Sequence, residues 1–241
     1  MGKSKNVFQK RIVKFRGFLN FFYSVLCLRF TRLGQRMLFR RVRDLKIDKV
    51  HVGCGNTLLQ GWLNITFEPR EEYGRIKEKG EAFWLNYNLL KPWPFADESI
   101  QFIAGSHMIE HLDLNGGILF FKEAYRVMKK GGVIRMSCPD LEIYASNYIK
   151  NNNEFFRNSF VREACTFKNA VTPGEIFISK AYDSGGAHKW FYDFDSLKHV
   201  LELAGFSQVQ RKERLKGSIP DIDQVEASAR EIESLYVEAV K

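Results

Sequence analysis

Two short segments of this 241-residue sequence carry residue types whose spacing could do chemistry. Gly53-Cys54-Gly55 follows the β-branched run Lys49-Val50-His51-Val52, and Gly61 comes after a wider gap. A strand running into such a turn lets backbone N–H groups approach a nucleotide-like ligand closely, and it serves equally as a tight turn with no ligand. The second segment is Ser106-His107-Met108-Ile109-Glu110-His111, just past the strand-like run Ser99–Gly105. Two imidazoles flanking a carboxylate at a sheet edge suit proton transfer, and they also suit holding a loop by hydrogen bonds. His188 is the preferred general base, with His111 and His107 as its rivals. It follows the turn-rich Asp183-Ser184-Gly185-Gly186-Ala187 and precedes Lys189-Trp190-Phe191-Tyr192, a composition that fits a lid over a pocket or an ordered loop with a structural histidine. His51 is expected to pack within its strand and His199 to lie on a helix surface. Asp140, after Cys138-Pro139, is a reserve candidate whose other role is an Asx turn or helix N-cap.

The elements that must hold these residues alternate between strand and helix. Trp62–Thr66 and Ser99–Gly105 read as strands, and so does Val133–Ser137. From Gly116 to Lys130, Ile118, Phe121, Ala124, Tyr125 and Met128 recur at helical steps, and Lys129-Lys130-Gly131-Gly132 reads as the stop. Phe194–Ala204 reads as a helix ended by Gly205, followed by strands at Ser207–Lys212 and Leu235–Val240. This alternation predicts an α/β fold with an open, mainly parallel sheet.

Composition narrows the function classes. Hydrophobic residues make up 45% of the chain and aromatics 14%, enough for one core and too much for general disorder. The net charge of +9 is unevenly placed. Residues 1–46 hold thirteen Lys/Arg against one acid, Asp44, while the remaining 24 basic and 27 acidic side chains leave the body at −3. The basic isoelectric point therefore belongs to an arm, and no nucleic-acid-binding domain is expected. Aromatic and aliphatic residues share the arm with its arginines in two helical stretches broken near Gly34. That pattern suits a helix lying on an anionic membrane, a helix packed on the body, or an arm on RNA. The apolar run Phe18–Leu28 is too short to span a bilayer, and no small-residue cleavage site follows it. Cys27, Cys54, Cys138 and Cys165 are scattered, without a Cys/His cluster at metal-ligand spacing. No metal and no disulfide framework is expected, and a cytoplasmic setting, peripheral on the inner face of the membrane, fits best.

Several segments in order carry a family resemblance: His51-Val52-Gly53-Cys54-Gly55-Asn56, Gly61-Trp62-Leu63-Asn64-Ile65, Leu89 to Ser99, Ser106 to Leu112, Glu123 to Leu141, and Ala204-Gly205-Phe206 with Ser234 to Ala239. Together they resemble the class I S-adenosylmethionine-dependent methyltransferases, in particular a bacterial branch associated with surface-polysaccharide genes. The resemblance implies a Rossmann-like sheet of seven strands with the last antiparallel, occupying residues 47–241 behind the arm at 1–46. It implies that Gly53, Cys54 and Gly55 pack on the methionine and ribose parts of S-adenosylmethionine, with Ser106 nearby. Thr66 and Glu68 stand where the family has a ribose-binding acid, and Asn88, before Leu89, stands where it has an Asp beside adenine. Two neutral residues in those places cost the stronger, charge-assisted hydrogen bonds. The implied activity is O-methylation of a sugar in a lipid-linked or surface glycan. Other readings are a small-molecule, lipid or nucleic-acid acceptor, or an inactive scaffold.

Overall fold

The computed structural model describes residues 32–67, 74, 76–163, 169–182, 188–226 and 228–241. Its centre is an eight-stranded sheet. The strands are β1 (Lys49–Val52), β2 (Leu63–Thr66), β3 (Ile76–Lys79), β4 (Ala82–Asn86), β5 (Ile100–Ser106), β6 (Met128–Pro139), β7 (Ser207–Lys212) and β8 (Ser234–Val240). Their spatial order is β3-β4-β2-β1-β5-β6-β8-β7. β4, β2, β1, β5 and β6 pair in parallel, whereas β8 runs antiparallel to both β6 and β7. The expected antiparallel final strand is therefore present. The expected count of seven is corrected to eight, because β3 adds an antiparallel edge to β4. Its sequence, Ile-Lys-Glu-Lys, is three-quarters exposed charge and lacks the alternation that marks a strand. Charge on an edge strand also keeps it from pairing with other chains.

The central strands are buried on both faces, as parallel strands under helices must be. Val50, Val52, Ile103 and Ala104 are fully enclosed. One face is covered by α2 (Leu114–Val127) and α7 (Phe194–Ala204), which pack on each other. Asp113 caps α2 by accepting from the Gly116 N–H at 2.7 Å, and Asp193 with Ser196 forms a reciprocal capping box on α7. The expected stop of α2 at Lys129–Gly132 lies slightly late. The helix ends at Val127, and Met128 already pairs with Ile100, leaving Lys129–Gly132 as a bulge before Val133 meets Phe102. On the other face, Trp62 packs with Leu59, Ile219 and Val225, and its indole N–H donates to Asp221 at 2.8 Å. Between β6 and α7 the chain builds a helical layer from α3 (Leu141–Ile149), α4 (Asn153–Arg157), α5 (Ser159–Glu163) and α6 (Pro173–Tyr182). Tyr144, Phe155, Phe156 and Ile176 form its own small core.

One helix lies just before the boundary expected at residue 46. Helix α1 (Arg32–Asp44) buries Leu38 and Val42 in the main core, so the body begins before residue 46. Arg36, Arg40, Arg41 and Arg43 face outward from the same helix. Of its large apolar residues, Leu38 and Val42 face inward and Met37 faces outward. The first helical stretch of the arm lies outside the described residues. A cavity of about 340 Å³ sits beside α1, lined by Val42, Asp48, Pro94, Ser99 and Lys129, and holds none of the candidate residues.

Candidate active site

Gly53, Thr66, Asn86 and Ser106 all stand at the carboxyl ends of parallel strands, the edge where open α/β sheets bind ligands. The two turn glycines have different tasks. Gly53 has φ of +66°, and a Cβ there would lie 2.3 Å from Met108 Cγ. Gly55 has φ of +50°, and a Cβ there would meet nothing within 4 Å. Gly53 thus lets the turn close on the Ser106–His111 loop, while Gly55 presents bare backbone to open space. That geometry fits a cradle for an adenosyl cofactor. Cys54 lies between the two glycines: its side chain is buried, its N–H donates to Ile65 O at 3.1 Å, and its carbonyl accepts from Thr57 N at 2.8 Å. It braces the turn from inside.

The second strand end places Thr66 beside Asn86. Thr66 is half-buried, and its carbonyl accepts from Tyr87 N at 2.8 Å. Glu68 lies outside the described residues. Asn88 Oδ1 accepts from Leu90 N at 2.9 Å, so this oxygen is committed first to its own turn. Leu89 is half-buried against the core, and its carbonyl accepts from the Trp93 indole at 2.9 Å. Ser106 is held by Ser137, whose hydroxyl donates to it at 3.0 Å.

The three candidate histidines, far apart in sequence, converge on Glu110. This carboxylate is 1% exposed. His107 Nδ1 stands 3.3 Å from its Oε1 and His188 Nε2 stands 3.9 Å from it. The rings of His111 and His188 meet edge to face at 5.1 Å. His107 reaches this place with a left-handed φ of 49°, and its Nε2 bonds Ser234 Oγ at 2.8 Å. Burial pushes the Glu110 carboxyl up, but His107 and His111 pull it down further and leave it ionised. Burial depresses the His188 imidazole, against a smaller opposing pull from Glu110. His188 is itself buried, and its Nδ1–H donates to Lys180 O at 2.8 Å, so the neutral ring keeps a lone pair on Nε2 toward Glu110. The preceding stretch, Asp183–Ala187, lies outside the described residues.

The other candidates separate cleanly. His51 is buried in β1 against Asn64 at 3.1 Å, and His199 is exposed on α7. Asp140 is the N-cap of α3, accepting from Glu142 N at 2.9 Å with Arg211 at 3.3 Å, so its structural role prevails. Sequence reasoning missed a buried layer behind His188. Lys180 pairs with Glu233 at 2.7 Å, and Tyr144 donates to the same carboxylate. Only the helical spacing of Tyr144 and Lys180 hinted that either faced inward. The absence of close His/Cys spacing also hid the fact that Glu110, His111 and His188 bring their ligand-capable atoms within 4.8 Å of one another.

Residues 50–136 match the family model described as a methyltransferase domain. No curated protein matches the chain. Among solved structures, the chain is similar to a SAM-dependent methyltransferase from Archaeoglobus fulgidus, with 14% identity over 91% of this chain and 99% of that one and a TM-score of 0.46. A SAM-dependent methyltransferase from Thermotoga maritima shows 21% identity over 98% and 99% of the two chains, with a TM-score of 0.44. Human N-acetylserotonin methyltransferase in complex with SAM shows 10% identity over 86% of this chain and 51% of its own, with a TM-score of 0.47.

Proposed function

We propose that this chain is an S-adenosylmethionine-dependent methyltransferase, a reading supported by the match of residues 50–136 to a methyltransferase domain, and that it methylates a hydroxyl group, that of a sugar in a lipid-linked or surface glycan at the cytoplasmic membrane face. The observation that carries this reading is the contact between Gly53 and Met108, which sets the glycine turn two residues from Glu110. Bound S-adenosylmethionine supplies a methyl group on a positively charged sulfur, a donor already activated. The protein's share is to align the acceptor oxygen and to take its proton.

Gly53 and Gly55 hold the backbone of the cofactor turn, with Thr66 and Asn88 toward its ribose and adenine ends. The Glu110 carboxylate and His188 Nε2 offer acceptor atoms to an incoming O–H, which is what a hydroxyl-bearing acceptor needs. His188 then receives the proton on Nε2, its ring fixed by the Lys180 carbonyl and its new charge faced by Glu110. The sugar assignment draws on the family resemblance, and the membrane assignment on the basic arm. Among the described residues no helix is long and apolar enough to cross a membrane. A competing reading, a methyltransferase fold that scaffolds without turnover, draws on the neutral Thr66 and on the committed Asn88 oxygen.

Calorimetry with S-adenosylmethionine and S-adenosylhomocysteine separates the two. Saturable binding of both, with radiolabel transfer from S-adenosylmethionine to lipid-linked glycan, is expected. Absence of binding would leave the scaffold, and transfer only to acceptors without a sugar would replace the glycan.

A further inference from the structure

The donors and acceptors around Glu110 do not balance. Neither Glu110 oxygen has a hydrogen-bond partner, although the side chain is 1% exposed. The facing imidazoles do not correct this. The hydroxyl of Ser234 donates to Arg230 O, so it must accept from His107 Nε2–H at 2.8 Å. His107 Nδ1 is shared between Glu110 and Arg230, whose Nη1 approaches it at 3.4 Å. On His188 the proton is fixed on Nδ1 by a carbonyl, which can only accept, and Nε2 carries a lone pair. The buried Glu110 carboxylate therefore faces the His188 lone pair at 3.9 Å with no donor between them, an arrangement that suits a cation.

From this we infer that Glu110, His111 and His188 bind a divalent transition-metal ion. One carboxylate and two imidazoles suit zinc, cobalt, manganese or iron(II). Ligand atoms at about 2.0–2.2 Å from one ion stand at most about 4.4 Å apart. The 3.9 Å between Glu110 Oε1 and His188 Nε2 lies inside that limit, and small side-chain rotations bring the set of three within it. The Lys180 carbonyl on His188 Nδ1 is the outer-shell bond that commonly orients a metal-bound imidazole. His111 lies on the solvent side of the group and leaves a way in. The role of such an ion rests on the methyltransferase reading: in the metal-loaded form it would hold the acceptor oxygen and take over from His188 Nε2 in easing loss of the proton, which would pass to solvent. Binding itself does not depend on that reading.

The test uses the full chain, stripped with a chelator and titrated with Co²⁺ followed by its visible ligand-field absorption, and with Zn²⁺ by calorimetry. One equivalent of each is expected, together with a rise in Tm. Glu110→Gln and His188→Ala should each weaken binding by more than the roughly 10–100-fold typical of outer-shell changes. His199→Ala should leave it unchanged. If a buried variant fails to fold, the more exposed His111→Ala gives the same reading. Stoichiometric uptake that survives in all three variants, or no uptake with the His188 ring protonated at neutral pH by NMR, overturns the site. S-adenosylhomocysteine calorimetry on the same samples keeps the questions apart, since failure of the cofactor reading leaves metal uptake intact and the reverse.

Discussion

At the scale of single residues, the two turn glycines make opposite predictions although they sit two positions apart. Gly55→Arg should abolish S-adenosylhomocysteine binding by calorimetry while the circular dichroism keeps the native form, because its Cβ meets open space and its stability cost is limited to the left-handed φ, about 1 kcal/mol. Gly53→Ala should lower stability by about 1–3 kcal/mol, because its Cβ must displace Met108 and the backbone is left-handed. A denaturant melt checks the second, and the reverse pattern would exchange the two roles. His188→Ala should reduce kcat by roughly 10²–10⁴ with cofactor affinity little changed. Equal loss in His107→Ala, with His188→Ala near wild type, would move proton transfer to the other loop. The glycines and the histidines were legible in the sequence because their types are rare and their neighbours strand-like. Glu233 and Lys180 were not, since a single charged residue gives no sign that its partner lies elsewhere in the chain.

Among elements, the strands and helices with strong periodicity came out of the sequence nearly to the residue. Phe194–Ala204, closed by Gly205, and Ser207–Lys212 agree with the structure end to end. β3 escaped because edge strands are selected for charge, which erases the pattern that reveals strands. Helix α1 was legible as amphipathic, but periodicity cannot tell whether an apolar face meets protein or lipid. Packing decides it, and Leu38→Ala should cost about 2–5 kcal/mol in a denaturant melt if α1 belongs to the core. A second element-level test concerns α2. Arg126 bonds Glu123 at 2.7 Å and holds that carboxyl below its ordinary range, against a smaller push upward from burial. Its contribution is complete above the ordinary Glu value of about 4.3 and is lost as pH falls through the lower folded value. The Tm gap between wild type and Glu123→Gln should therefore be widest near neutral pH and close toward acid.

On the scale of the whole molecule, charge is segregated more sharply than the sum of +9 suggests. Residues 1–31 carry seven Lys/Arg and no acid, and the outward arginines of α1 continue the same field. The protein should bind anionic vesicles and ignore neutral ones, with about 1 kcal/mol from each basic residue near the surface. Binding should weaken as salt rises, and removal of residues 1–31 should weaken it further while leaving the Leu38 and Val42 contacts in place. Vesicle sedimentation at two ionic strengths checks this, and equal binding to neutral vesicles would sink the electrostatic part. The position of β8 has a consequence for how the molecule is made. This strand lies between β6 and β7; the residue just before it supplies Glu233 to Lys180, and its first residue supplies Ser234 to His107. A chain emerging from the ribosome can close the Gly53 turn early, yet it has no finished histidine cluster until residue 240 has left the exit tunnel. Premature termination just before Glu233 would thus leave every residue of the glycine turn in place while removing a buried strand from within the sheet and the residues that fix the histidine loop, so the last eight or so residues decide whether the site is ever assembled.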